Sequence, residues 1–226
     1  MSAKTRNNYR TWLSTFAAWM KERMYIDNNP IEDIHMLREE EKFRDPLTAQ
    51  DLVRLGEYTS KSNPPFYLAC MMEYYCFIRP DELRYIKIGD ISIKEPSVYV
   101  HPKFSKNHKG QLVAVNDKVL KIMIEQNVFD HPSQDYLFGH DLRPGPHQIY
   151  VNQFRNEWQK VRKALSFPSS YQFYSLKDSG IRDLANAEGI VVARDQARHS
   201  DVSVTNKYLK TAKLAHEETK HFEGQL

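Results

Sequence analysis

The stretch that decides the reading is "ARHSDVSVTNKYLK", Ala197 to Lys210. It sets His199 nine positions ahead of Tyr208, with small and hydroxyl-bearing residues between them. A tyrosine near a chain end is ordinarily half-buried packing. A lone histidine there ordinarily satisfies a helix end. The pair gains meaning only from what precedes it in the chain.

The chain has 226 residues, enough for one sizeable core or for one domain plus a small extra piece. Hydrophobic residues at 41% and charged residues at 27% describe a globular, soluble chain. No apolar run approaches the roughly 20 residues of a membrane span. The opening "MSAKTRNNYR" lacks the apolar region of a secretory signal. Cys70 and Cys76 form no CxxC pair, so buried free thiols in a reducing compartment are expected, not a disulfide scaffold or zinc site. The net charge is only +3, but its distribution is uneven. From Lys94 to Lys121 six lysines face two acids, and Lys4, Arg6 and Arg10 open the chain. Such basic stretches suit a phosphate backbone, although charge alone describes a solvated lysine face equally well.

Periodicity predicts a mainly α protein with one small antiparallel sheet. Residues 5–25 carry Tyr9, Trp12, Leu13, Phe16, Ala17, Met20 and Met24 at helical spacing, with Thr5 as a cap. "NNPIEDIHMLREEEKFRDP" then loses its periodicity after Met36. This divides the chain into a helical piece (1–36), a linker (37–45) and a main domain (46–226). Thr48 and Asp51 approximate a capping box, and an apolar helix follows over 65–77. Pro80 suits the first turn of a short helix, with Asp81 and Glu82 at its positive end. "DISIK", "SVYVH" and "QLVAV" read as strands, the last two joined by the basic tip "SKNHKG". Helices are then expected at 117–126, 147–165, 176–187, 191–197 and 202–209.

Four places line up in chain order: Arg79 in "FIRPDEL", Lys106 in "SKNHKG", the run "YSLKDSG" at 174–180, and His199 with Tyr208. Together they resemble the tyrosine recombinase (phage integrase) family over about residues 46–210. "CFIRPDELRYIKIGDIS" is similar to its first arginine box and "SKNHKGQLVAV" to its hairpin lysine and outgoing strand. "YSLKDSGIRDLANAEG" is similar to its His-x-x-Arg box, and "ARHSDVSVTNKYL" to the closing box with its tyrosine. Residues 5–36 resemble the later part of the helical core-binding domain, which leads us to expect further core-binding helices ahead of residue 1. The expected fold is therefore a recombinase catalytic domain preceded by a partial core-binding domain.

The resemblance implies a DNA strand transferase of a mobile element, working through a covalent 3′-phosphotyrosine intermediate without cofactor or metal. Tyr208 would be the nucleophile, Arg79 the first phosphate clamp, Lys106 the general acid and His199 a hydrogen-bond partner of a phosphate oxygen. Glu82 would buttress Arg79. Lys4, Arg6, Arg10, Lys103, Lys109 and Arg198 are the further DNA-binding candidates. The residue types fit the chemistry. A phenol of pKa about 10 is a weak nucleophile unless cations or a base assist it. Cations aimed at the non-bridging oxygens stabilise the charge that develops there. A positioned lysine can protonate the leaving 5′-oxygen. The implied partner is double-stranded DNA, bound by a chain that is monomeric when free and tetrameric on paired sites. The tail after Tyr208, with Leu214 and Phe222, would pass to a neighbour in a ring-closing exchange. The implied location is the cytoplasm, at the nucleoid.

One box departs from the family. Tyr174 stands where the histidine would be and Lys177 where the second arginine would be. Lysine is a point charge and lacks the planar fork of a guanidinium. Tyrosine is a weaker base than histidine near neutral pH. Two outcomes follow: Lys177 keeps the positive charge and the site works with altered chemistry, or the chain only occupies DNA. Arg198, directly before His199, is a candidate substitute guanidinium, in a place where family members commonly carry glycine. A relaxing topoisomerase is a more remote reading.

Overall fold

The computed structural model describes residues 1–39, 44–105 and 108–206. The chain divides into two compact units, Met1–Phe43 and Arg44–Leu226.

The first unit is built on α1 (Ala3–Glu22). Its cap is Ser2, whose hydroxyl accepts from the Thr5 backbone N–H at 3.2 Å, so the helix starts three residues earlier than Thr5 as cap would have it. The extended stretch that returns along α1 is held by side chains. Buried Asn7 accepts from the Leu37 N–H at 2.9 Å and donates to the Leu37 carbonyl at 2.8 Å. Arg6 donates to the His35 carbonyl at 3.0 Å, and Arg10 to those of Ile34 and Glu32 at 2.8 and 3.0 Å. Residues 37–39, the beginning of the expected linker, are thus tied to α1, because an asparagine amide matches a backbone peptide group in both donor and acceptor. Ala17 is buried, whereas Tyr9, Trp12, Leu13 and Phe16 are exposed.

In the second unit, Thr48 caps α2 (Ala49–Ser62) by accepting from the Asp51 N–H, as its capping-box spacing predicts. Asn63 then caps α3 (Pro64–Tyr75), whose N-terminal prolines cost no hydrogen bond in the first turn. Helix α3 is apolar nearly all round. Phe66, Leu68, Ala69, Cys70 and Met72 are all buried, which makes it the central helix of the domain. Cys70 and Cys76 are buried free thiols, pushed up by desolvation.

The short α4 (Pro80–Leu83) leads into β1 (Ile91–Ser92), β2 (Ser97–Val100) and β3 (Gln111–Ala114). The three strands form one antiparallel sheet in the order β1-β2-β3, with Val98 paired to Val113. Helix α5 (Asp117–Glu125) follows, capped by Asn116. Helix α6 (Gln153–Ala164) begins at Gln153, six residues later than the expected 147. The Ile149 carbonyl accepts from the Arg84 guanidinium at 3.3 Å, and the Ile149 side chain is buried, so this stretch is committed to non-helical contacts.

Helix α7 (Ser175–Glu188) packs along α3, followed by α8 (Ile190–Ala197) and α9 (Val202–Asn206). The expected helix at 202–209 runs past Asn206 into residues outside those described. The α3–α7 contact depends on Gly180. A Cβ there would lie 1.9 Å from the Tyr74 carbonyl oxygen and 2.6 Å from the Phe77 ring. Backbone cannot yield that far, so the helices touch only because the residue has no side chain. We expect Gly180→Ala to separate α3 from α7 and destabilise the domain by about 3 kcal/mol. Urea unfolding monitored by tryptophan fluorescence measures this directly.

Candidate active site

The site is assembled from the N-terminal ends of α4 and α7 and the C-terminal end of α8. Arg79 is the N-cap residue of α4, and Glu82 is the third residue of that helix. Their spacing lets the Glu82 carboxylate accept from the Arg79 backbone N–H at 3.0 Å and from its guanidinium at 2.8 Å. The glutamate side chain is almost wholly buried, while that of Arg79 keeps 16% of its surface exposed. Burial would raise the Glu82 carboxyl, but hydrogen bonds and charge from Arg198 and Arg79 outweigh it and hold the group below the usual carboxylate range. Glu82 is therefore ionised.

Lys177 lies in the first turn of α7 and is fully buried. Its ammonium donates to the Phe77 carbonyl at 2.7 Å, tying α7 to the end of α3. Burial pushes Lys177 down to about 7, Arg79 adds to the depression, and Glu73 opposes it. The positive end of the α7 dipole is also a poor place for a cation. Glu73 itself is completely buried on α3, and neither carboxyl oxygen has a hydrogen-bond partner among the described residues. Desolvation holds it well above the usual carboxylate range, against the pull of Lys177.

Tyr174 precedes α7. Its ring carries the Arg44 guanidinium at 4.1 Å, and Arg44 also pairs with Asp178 at 3.1 Å. Burial raises the Tyr174 phenol, with Arg79 lowering it less, so the group keeps its proton and is a hydrogen-bond donor.

At the end of α8, Gln196 reaches the Tyr75 and Ala114 carbonyls at 3.2 and 2.9 Å, fixing this helix end against α3 and the sheet. Arg198 then adopts the left-handed conformation, with φ of 57° and ψ of 42°. Its side chain turns inward and its guanidinium pairs with Glu82. The Nδ1 atom of His199 lies 3.0 Å from the Thr205 hydroxyl of α9. Burial pushes His199 down to about 4, and the charges of Lys177, Arg79 and Arg198 add to the effect. The imidazole is neutral at physiological pH.

Arg79, Tyr174, Lys177, Arg198 and His199 thus form one electrostatically connected cluster around Glu82. Lys106 and Tyr208 lie outside the described residues, as do Leu214 and Phe222. Lys103 and Lys109 are exposed on the β2–β3 connection, and the Lys103 ammonium lies 5.6 Å from the Phe104 ring. Lys4 is exposed, whereas Arg6 and Arg10 spend guanidinium N–H groups on backbone carbonyls.

Two members escaped the sequence reading. Glu73 had a signal, as the one acid inside the apolar run "FYLACMMEYYCF". Arg44 had none, since it sits in a charged stretch where any residue reads as solvated.

The Phage integrase family model matches residues 46–214. A tyrosine recombinase of Pseudothermotoga lettingae is 23% identical over 200 residues, covering 87% of this chain and 67% of that protein. Among solved structures, the integrase of transposon Tn1549 in complex with circular intermediate DNA aligns with a TM-score of 0.73 at 14% identity, over 98% of this chain and 78% of that one. A lambda integrase dimer bound to a core site also aligns at 0.73 and 14% identity, over 91% of this chain and 59% of that one. At these identities the two structures establish a shared fold: mostly helical, with a small antiparallel sheet.

The buried lysine makes a stability prediction whose sign is fixed. The folded chain releases the Lys177 proton near pH 7, while an unfolded chain keeps it to about 10.5. Between these values the unfolded state holds more protons, so stability rises with pH there. Relative to Lys177→Met, the unmodified chain should gain on the order of 1 kcal/mol per pH unit from pH 7 to pH 9. Parallel urea titrations at the two pH values test this.

Proposed function

This chain belongs to the phage integrase family, and on that footing we propose that it is a site-specific DNA strand transferase. Tyr208 gives up its phenolic proton to solvent water and attacks a scissile phosphodiester, the phosphorus–oxygen bond to the 5′-oxygen breaks, and a 3′-phosphotyrosine forms. Lys106 donates the proton that the departing 5′-oxygen takes up. A 5′-hydroxyl of a second strand then reverses the step. The observation that carries this reading is the buried Glu82 carboxylate holding Arg79 at the head of α4, next to a neutral His199. Such an arrangement supplies a fixed cation for the non-bridging oxygens and a neutral hydrogen-bond partner beside it. Preorganised donors of this kind do not have to reorganise when charge develops, and this is where most of the catalytic effect arises.

Tyr174 donates a hydrogen bond to the same phosphate, and Lys177, which titrates at about 7, adds a partial positive charge from within the domain. The substrate is double-stranded DNA, with Lys4, Arg6, Arg10, Lys103 and Lys109 toward its backbone. Arg10 retains one guanidinium nitrogen beyond those bonded to carbonyls. The active assembly is a tetramer on paired sites, with the tail beyond Tyr208 exchanged between neighbours, and its place in the cell is the cytoplasm, at the nucleoid. A second reading, a chain that binds DNA without cutting it, is favoured by a single observation. Lys177 is fully buried and already bonded to the Phe77 carbonyl, so the altered box offers no exposed second cation.

Trapping separates the two readings. The chain is incubated with a pool of labelled duplexes, each carrying one nick within randomised sequence, and SDS-resistant adducts are isolated and sequenced. Strand transfer gives an adduct that disappears in Tyr208→Phe while the gel shift of the same DNA persists. A gel shift without any adduct supports the binding-only reading.

A further inference from the structure

We propose that Arg198 is a catalytic residue of this site, contributing the second guanidinium that contacts the scissile phosphate. The inference rests on the strand-transfer reading above and deepens it.

Arg198 has an unmet hydrogen-bonding demand. The Arg198 side chain is 97% buried, and one of its terminal nitrogens pairs with Glu82. Its Nε and its other terminal nitrogen, Nη1, have no acceptor among the described residues. Leaving a buried donor unsatisfied costs about 1–3 kcal/mol, and more for a charged group. Glu82 cannot meet the demand. One of its oxygens accepts from the Arg79 guanidinium, and the other from the Arg79 backbone N–H and from Arg198. If Arg198 served only as the counter-ion of a buried glutamate, its remaining N–H groups would be expected to find other acceptors, as buried polar groups nearly always do.

The charge around Arg198 is also unbalanced. Two guanidiniums share one ionised carboxylate, with Lys177 close enough to act on both sides of the balance. Of the other acids nearby, Asp178 is paired with Arg44, and burial shifts Glu73 toward its neutral form. The cluster therefore carries an excess of positive charge in a low-dielectric setting, where its natural complement is a singly charged oxyanion. A phosphodiester has that charge and the acceptor oxygens that Arg198 lacks.

The backbone at Arg198 is unusual as well. Arg198 sits in the left-handed region at the end of α8. A non-glycine residue there gives up roughly 1–2 kcal/mol that glycine would not. The side chain that accepts this cost does not point into solvent, where its charge would be hydrated. It folds inward onto Glu82, beside Arg79 and ahead of His199.

The assignment also separates Arg198 from Lys177. The lysine is anchored to a backbone carbonyl between α3 and α7, and so acts as a positioning residue. The guanidinium function that its position would have supplied comes instead from the end of α8, through the carboxylate that also holds Arg79.

The test compares two substrates that differ in charge at one atom. A nicked duplex recovered by trapping is made with a normal phosphodiester at the scissile position, and again with a neutral methylphosphonate there. Adduct formation is timed for the unmodified chain, Arg198→Gly and Arg198→Lys, with thermal melting to confirm that each is folded. A guanidinium that contacts the charged phosphate predicts a loss of about 100-fold for Arg198→Gly on the phosphodiester. The loss on the methylphosphonate should shrink to less than about 10-fold, because the charge to be neutralised is gone. Arg198→Lys should fall between, with the same contrast, and decides the question if the glycine variant does not fold. Equal losses on both substrates would make Arg198 a structural partner of Glu82 and overturn the proposal alone. No adduct from the unmodified chain on either substrate would overturn the strand-transfer reading, and this role for Arg198 with it.

Discussion

The carboxylate of Glu82 is the constraint around which the rest of the site is arranged. It is buried, ionised and shared between two guanidiniums that come from distant parts of the chain. A buried carboxylate is tolerated only when its desolvation is offset by close hydrogen-bonded cations. Removing either arginine would leave charge under-compensated in the interior, so Glu82 ties the head of α4 to the end of α8. The short α4 turn and the left-handed residue at the end of α8 are both understandable as what it takes to deliver those two guanidiniums to one acid.

Behind this ion cluster stands the contact between α3 and α7. Gly180 lets the two helices approach until backbone meets backbone. That closeness brings the Lys177 ammonium to the Phe77 carbonyl at 2.7 Å and sets it near Glu73. The result is a buried acid and a buried base in one dry interface, each driven by desolvation toward its uncharged form. A cation whose proton is held so weakly is a poor permanent clamp for an anion. A guanidinium keeps its charge under all these conditions. Of the two side chains, that of Arg198 is the one whose chemistry suits a lasting contact with an anion.

The neighbourhood of Tyr174 follows the same logic. A phenol in place of an imidazole removes a base that titrates near neutral pH. The structure surrounds that phenol with Arg44 on its ring and Asp178 beyond, and burial keeps it protonated. His199 is likewise held neutral, by burial and by the cations around it. Tyr174 and His199 are therefore hydrogen-bonding groups of fixed protonation near neutral pH, and Lys177 is the member of the cluster that titrates there.

The sequence alone determined the local parts of this protein. Caps at Thr48, the apolar run of α3, the short proline-led α4 and the three β-branched strands were all legible, because each is fixed by residues within one or two turns of one another. The order of the boxes was legible for the same reason, and so was the Arg79–Glu82 pair at i,i+3. Only the tertiary structure decided which charges meet. Arg198 lies 116 residues from Glu82, and Lys177 lies 100 from the carbonyl that anchors it. Arg44 finds Asp178 across 134. No periodicity encodes such separations. They are set by how the elements pack in three dimensions, and burial then shifts which of these groups stays charged.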